Sequence, residues 1–106
     1  MLRQLISPRS RLTRSQRRYA LRLLENVTPS QRWGVSGGVP PGVMVALKNG
    51  WLPLNADGDW QVNSVGWISG DGRDYLMAVL TTGSATEQDG IDLIEELTGI
   101  VWRNMR

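Results

Sequence analysis

The chain has 106 residues, enough for one small domain with a core, and 41% of its residues are apolar. It contains no cysteine and no histidine, which excludes disulfide bridges, thiolate chemistry and the commonest general base and metal ligand. We therefore expect no cofactor and no metal, and any proton transfer would use Asp, Glu, Lys, Tyr or water.

The net charge of +2 hides an uneven distribution. Residues 1–24 carry seven arginines and no acid, whereas residues 25–106 carry five basic and ten acidic residues. The apolar runs are far shorter than a membrane span, and no sustained apolar segment follows Arg17-Arg18. We therefore expect no membrane contact and no export signal, which makes the chain cytoplasmic as written and leaves its location open.

The first quarter of the chain predicts a basic lead-in and then a helix. Residues 1–12 include Pro8 and show no clear period, so we expect a flexible or irregular segment. Thr13-x-x-Gln16 fits a capping box, and a helix is predicted from there to about Asn26. Apolar residues at spacings of three and four predict one buried face of this helix, made of Tyr19, Ala20, Leu23, Leu24 and Val27.

The middle of the chain predicts a loop followed by three strands. Pro29 ends the helix and allows one further turn, and the Gly- and Pro-rich stretch from Trp33 to Gly42 is loop. Strands are predicted at residues 43–48, 60–68 and 74–81, with a connection from Leu52 to Asp59 and a hairpin at Gly70–Arg73. The nearly continuous apolar run Tyr75–Leu80 predicts that the third strand is central or covered.

A last helix is predicted from about Glu87 to Arg103, with Ser84-x-x-Glu87 as its cap. Short links between the strands favour an antiparallel meander with helices packed on it. The predicted fold class is therefore α/β (α+β), a three-stranded antiparallel sheet flanked by N- and C-terminal helices. The buried stripe predicted for the last helix contains Ile91, Ile94, Leu97 and Val101, with Leu93 and Ile100 on its flank.

Lys48-Asn49-Gly50 stands at the end of a predicted buried strand, and Lys48 is the only lysine of the chain. A lone ammonium there is a candidate active-site charge, and the alternative is a solvated lysine at a strand end. The tripeptide resembles the lysine–threonine/serine–glycine box of the class A β-lactamase and penicillin-binding-protein superfamily. The flanking segments Thr28–Gly34 and Trp60–Gly66 and the last helix also resemble β-lactamase-like serine hydrolases of actinobacterial type.

The resemblance covers roughly residues 12–104 and implies that residues 13–106 form the C-terminal part of a β-lactamase/transpeptidase-like fold. It implies that Lys48 supplies catalytic positive charge and that the backbone N–H of Trp51 is an oxyanion-hole donor. It also implies that Gly50 leaves the strand edge open to substrate. Asn49 replaces the hydroxyl residue of the family, so it would bind the substrate carboxylate without shuttling a proton.

The nucleophile motif of that family, Ser-x-x-Lys, is absent from these residues, because Val45 stands three places before the only lysine. Ser-Asp-Asn is absent too. We therefore expect the chain alone to be inactive, with a β-lactam, peptide or ester as substrate only if an N-terminal part completes it. The resemblance also implies a link to antibiotic resistance, and full-length proteins of this kind are usually exported.

Two other classes of function stay open. The seven arginines near the start, with Tyr19 among them, would bind the phosphates of a nucleic acid in a salt-dependent way. No reading helix or aromatic platform accompanies them, which disfavours this class. A fragment that exposes the surface on which its other half packs would instead be a non-catalytic interaction module that self-associates.

Overall fold

The computed structural model describes residues 1–56 and 58–105, so Asp57 of the predicted turn and Arg106 lie outside the described residues. The strands form one antiparallel sheet in the order β1-β2-β3. The predicted α/β (α+β) class, a three-stranded antiparallel sheet with flanking helices, is confirmed. The elements are α1 (Leu2–Ile6), α2 (Arg14–Glu25), a 3₁₀ turn (Pro29–Gln31), β1 (Met44–Asn55), β2 (Gly58–Gly70), β3 (Arg73–Ser84) and α3 (Glu87–Asn104).

The two faces of the sheet are covered by different parts of the chain. Because side chains alternate along a strand, Val45, Leu47, Val62 and Ile68 share one face and are buried there. Val35 of the preceding loop and α3 cover this face, which we call the α3 face. The opposite face, which we call the N-terminal face, presents Trp67 to a cleft that α1 and α2 also line. Burial of a Val, Leu or Ile side chain stabilises the fold by about 1.5–3 kcal/mol.

The N-terminal segment is more regular than predicted. Residues 2–6 form α1, and Leu5 is buried, so the expectation of an irregular segment is wrong at these positions. A hydrophobic contact rather than a sequence period explains the difference, because Leu5 and Ile6 line the same cleft as Leu21 and Trp67. None of the helices in the described residues is long and apolar enough to cross a membrane.

Helix α2 begins where predicted, but only part of its predicted buried face is covered. Thr13 and Gln16 form the complete capping box. Tyr19 and Leu23 were predicted to be buried and are instead 63% and 55% exposed. The helix packs on β1, an edge strand, and Tyr19 and Leu23 are left uncovered there. Its half-buried residues are Arg17, Ala20, Leu21 and Leu24.

The strands are longer than predicted, because β1 continues to Asn55 and the predicted connection from Leu52 to Asp59 is mostly hairpin. Pro53 is tolerated there because an edge strand has one side without ladder hydrogen bonds. The second hairpin is confirmed, with positive φ angles of 49° at Asp71 and 75° at Gly72. The third strand was predicted to be central or covered, and in this structure it is an edge strand covered on one face only: Tyr75 is buried on the α3 face, whereas Leu80 on the other face is 74% exposed.

Helix α3 lies close to the sheet because Gly90 has no side chain. A Cβ atom at this position would stand 2.4 Å from Cγ2 of Val62. The helix is capped by Thr86, whose hydroxyl accepts from the N–H of Asp89, and not by Ser84, which still belongs to β3. The observed buried stripe also differs from the predicted one, since Leu97 and Ile100 are exposed. It consists of Gly90, Ile91, Ile94, Thr98, Gly99 and Trp102.

Candidate active site

The candidate box Lys48-Asn49-Gly50 and the adjoining Trp51 lie in the middle of β1, at one edge of the sheet. The alternation of side chains puts Lys48 and Gly50 on the N-terminal face and Asn49 and Trp51 on the α3 face. Lys48 is exposed, and its Nζ donates to the backbone carbonyl of Asn49. The ammonium therefore lies along the outer rim of its own strand.

The backbone of Trp51 is directed away from the sheet. Thr81 of β3 donates its hydroxyl to the carbonyl of Val62 at 2.7 Å, so the backbone groups of Val62 point to β3. Trp51 is the β1 partner of Val62, and this pair is therefore one that exchanges no ladder bonds. The N–H and C=O of Trp51 consequently point to the free edge of β1.

Two further contacts support the same orientation. Arg32 Nη2 donates to the carbonyl of Val45 at 3.1 Å, and Lys48 donates to the carbonyl of Asn49. Val45, Asn49 and Trp51 are separated by even numbers of residues, so their backbone groups point to the same side of the strand. The outer edge of β1 thus presents a positive charge and an outward N–H within a few residues.

The side chain of Asn49, predicted to bind substrate, is engaged within the fold in this structure. Its side chain is buried, and Nδ2 donates to the carbonyls of Gln31 and Trp33 at 2.9 Å and 3.0 Å. Its Oδ1 accepts from the hydroxyl of Ser64. Because both N–H bonds are engaged, the amide is not available to a substrate carboxylate in this arrangement. Asn49 instead fixes the segment that leads from α2 into the loop.

Gly50 and Trp51 border an open surface. A Cβ atom built on Gly50 would meet no atom within 4 Å, so nothing in the described residues requires glycine there by contact. The indole of Trp51 is 39% exposed and packs on Trp33, with ring centroids 5.7 Å apart and planes tilted by 59°. The edge is therefore accessible beside an aromatic pair.

Sequence reasoning missed two residues that organise this site, Ser64 and Arg32. Ser64 is fully buried; its hydroxyl donates to Asn49 and accepts from the N–H of Val35 at 2.9 Å. The sequence carried a signal for Ser64, because alternation along β2 places it on the same buried face as Val62 and Gly66. A polar side chain on a buried face needs a hydrogen-bond partner. No sequence pattern singled out Arg32.

The arrangement supplies two groups of a catalytic site, a positive charge and a hydrogen-bond donor. An ammonium attracts an anionic group, and an outward N–H can donate to an oxyanion. The described residues contain no group of three or more Asp or Glu placed to hold a metal ion. A surface cleft of about 660 Å³ lies elsewhere, along α2, and is lined by Thr13, Arg14, Ser15, Arg18, Tyr19 and Arg22.

The three-stranded antiparallel sheet with its flanking helices agrees with part of a β-lactamase fold. A model of the β-lactamase enzyme family matches residues 1–105, and the chain therefore belongs to this family. Among solved structures it is similar to a class A β-lactamase from Mycobacterium abscessus, with 30% identity and a TM-score of 0.73. That match covers 97% of this chain but only 38% of the Mycobacterium chain. No curated protein sequence matches the chain.

Proposed function

We propose that the chain supplies one wall of an acyl-transfer site in a β-lactamase-like serine hydrolase. The observation that carries the proposal is the outward N–H of Trp51 on the free edge of β1, beside the ammonium of Lys48. The substrate would be an acyl compound with a carboxylate, which fits a β-lactam, a peptide or an ester. The site residues are Lys48, Gly50 and Trp51.

Each of these residues has a distinct task in the proposed reaction. Lys48 attracts the substrate carboxylate and stabilises the negative charge that develops during proton transfer. The N–H of Trp51 donates to the alkoxide oxygen of the tetrahedral intermediate, and one such donor contributes about 3 kcal/mol to transition-state stabilisation. Gly50 leaves the edge open, so that an extended substrate lies along the strand.

The nucleophile must come from another polypeptide segment, because Ser-x-x-Lys does not occur in these 106 residues. In the completed site a serine attacks the acyl carbon, the leaving group departs with a proton, and water hydrolyses the acyl-serine. A lone charge and one oxyanion donor do not form an acyl-enzyme. The chain by itself is therefore inactive in this proposal.

The first test is hydrolysis of a chromogenic cephalosporin and of an activated ester by the purified chain. We expect the same background turnover for the wild type and for Lys48→Ala. Turnover by the wild-type chain well above that of Lys48→Ala would overturn the proposed inactivity.

The second test joins the unmatched part of the Mycobacterium abscessus class A β-lactamase to this chain in a chimera. A folded chimera is expected to hydrolyse the cephalosporin and to lose that turnover with Lys48→Ala, while Ala85→Lys at an exposed position elsewhere keeps it. A folded, active chimera that is indifferent to Lys48→Ala would overturn the assignment of Lys48.

Nucleic-acid binding is the second candidate, and one observation favours it. Arg14, Arg18 and Arg22 recur every four residues on α2, are exposed, and flank the exposed Tyr19. Within residues 1–56 and 58–105 the structure records an ion pair only between Arg73 and Asp71, so none of these arginines is ion-paired there. Retention on immobilised DNA at low salt that disappears at raised salt would support this candidate. An absence of salt-sensitive retention would exclude it.

A further inference from the structure

The peptide group that joins Trp33 to Gly34 is held at both ends by side chains from two different elements. Its carbonyl, on Trp33, accepts from Nδ2 of Asn49 on β1 at 3.0 Å. Its N–H, on Gly34, donates to Oε1 of Glu95 on α3 at 3.2 Å. Because a peptide group is planar, hydrogen bonds at its two opposite ends fix its orientation. The loop is therefore fastened to the sheet and to α3 at one point.

The loop backbone lies directly on the side chains that hold it. Gly34 has a φ angle of 84°, and a Cβ atom there would collide with the hydroxyl of Ser64. A Cβ atom on Gly37 would collide with Cβ and Cγ of Glu95. Backbone contacts this close require glycine. The aliphatic part of Glu95 therefore supports the loop by packing, and its carboxylate holds the loop by a hydrogen bond.

The residue at the start of this peptide connects the core with the candidate site. Trp33 is half-buried and packs against the core residues Val62, Ile91 and Ile94. Its ring also contacts the ring of Trp51, with centroids 5.7 Å apart. A displacement of the Trp33 peptide would therefore be transmitted to the β1 edge through this aromatic contact.

Trp51 lies at the point where β1 leaves the core. Asn49 is buried, whereas every residue from Trp51 to Asn55 is exposed. Segments with few buried contacts open locally at a low cost in free energy. The packing of Trp51 on Trp33 is thus placed to hold the outward N–H of Trp51 where the strand becomes exposed.

We propose that Glu95 is a positioning residue for the oxyanion donor of Trp51, acting through the Trp33–Gly34 peptide and the Trp33 indole. The assignment rests on the proposed function, because it concerns the N–H that would meet the alkoxide oxygen. Glu95 acts here as a hydrogen-bond acceptor and not as a proton carrier. Glu95→Gln keeps an oxygen acceptor in the same place, whereas Glu95→Ala removes it.

Circular dichroism of the purified chain tests the positioning without any enzymatic activity. Two indoles in contact couple optically, and Trp33→Phe identifies this paired signal because it removes one of the two rings. We expect Glu95→Ala to lose most of the paired signal and Glu95→Gln to keep it. Glu95→Met, which keeps the aliphatic packing without the oxygen, should behave like Glu95→Ala. Glu96→Ala, at the adjacent exposed position of α3, is the matched control and should keep the signal.

Urea unfolding of each variant verifies that the signal is measured on the folded chain, so that a loss of stability alone is not counted as a loss of positioning. A wild-type paired signal in folded Glu95→Ala or Glu95→Met would overturn the proposal. An equal loss of the signal in Glu95→Gln would overturn it too, because the acceptor oxygen is retained in that variant.

The chimera with the Mycobacterium abscessus β-lactamase tests the consequence for the reaction. An oxyanion donor acts in the transition state, so its displacement lowers kcat and leaves KM nearly unchanged. We expect Glu95→Ala to lower kcat by about tenfold or more, and Glu95→Gln to restore it. A chimera that depends on Lys48 but not on Glu95 would overturn the positioning role. An active chimera indifferent to Lys48→Ala would instead overturn the proposed function.

Discussion

The hydroxyl of Ser64 on β2 donates to the side-chain oxygen of Asn49 on β1, and the same hydroxyl accepts from the backbone N–H of Val35. One buried pair thus links two strands to the loop that covers them. Asn49 extends the network to the carbonyls of Gln31 and Trp33. The central residue of the candidate box is therefore a structural anchor.

Asn49→Ala should lower the free energy of unfolding by about 2–3 kcal/mol, because it leaves several buried polar groups unpaired. Gly50→Ala is the matched control, since its added methyl group meets open space and should change stability by less than about 0.5 kcal/mol. Urea unfolding followed by circular dichroism measures both. An Asn49→Ala variant as stable as Gly50→Ala would contradict the anchoring role.

Substitution by alanine should change the stability of the fold in opposite directions at two glycines of α3. Gly90→Ala should destabilise by about 1–3 kcal/mol, because its methyl group collides with the fully buried Val62. Gly99→Ala meets the flexible end of Arg103 at 3.3 Å, and should gain up to about 1 kcal/mol from helix propensity. Thermal unfolding of both variants checks this, and Val62→Ala should cost less stability in the Gly90→Ala background than in the wild type. Equal effects at the two glycines would disprove the close contact.

Tyr75 should make stability depend on pH in the alkaline range. Burial raises the pKa of its hydroxyl above the ordinary value of 10.0, against an opposing effect of the nearby Arg73. The folded state therefore holds the proton more tightly than the unfolded state, and this contribution to stability is lost as pH rises above about 10. Urea unfolding at neutral and strongly alkaline pH should show a decline that is smaller in Tyr75→Phe. An identical decline in the variant would exclude Tyr75 as its source.

The same substitution should be neutral or favourable at neutral pH. The hydroxyl of Tyr75 is buried and finds no hydrogen-bond partner among the described residues. Removing an unpaired buried hydroxyl relieves a desolvation cost, so Tyr75→Phe should raise the free energy of unfolding by up to about 1 kcal/mol. A marked destabilisation in urea unfolding would indicate that this hydroxyl has a partner in solution.

Arg73 should be far more important to stability than its ionic partner. Its guanidinium is buried, lies 3.9 Å from the centroid of the Trp102 ring, and donates from Nε to the Trp102 carbonyl at 2.8 Å. Arg73→Lys loses the planar donors and should cost about 2 kcal/mol or more. Asp71→Asn removes an ion pair whose carboxylate is exposed, and should cost less than about 1 kcal/mol. Urea unfolding that ranks the two variants the other way would contradict this.

Local sequence patterns predicted the elements well where the cause is local. The capping box at Thr13 and the hairpin at Asp71-Gly72 depend on a few neighbouring residues, and both form as predicted. The class of the fold followed from the order of these elements. The cap at Ser84 failed because the pairing of β3 with β2 extends to that residue, which no local pattern shows.

Burial was harder to predict because it depends on what packs against each element. The apolar spacing of Tyr19 and Leu23 fits a buried helix face, yet both are exposed in this structure. Lys48, Gly50 and Trp51 were singled out by a resemblance, and their catalytic roles stay predictions. The anchoring role of Asn49 required the position of Ser64 across the sheet, which is fifteen residues away in sequence.

The contact between Lys48 and the carbonyl of Asn49 sets a condition on any ligand. A carboxylate that binds Lys48 must replace the carbonyl oxygen of Asn49, which already accepts a hydrogen bond from the ammonium. The binding free energy gained is therefore only the difference between the new contact and the one it replaces. Rotation of a flexible side chain makes that exchange fast. The binding strength of this edge will therefore depend on how completely the ligand also uses the neighbouring N–H groups.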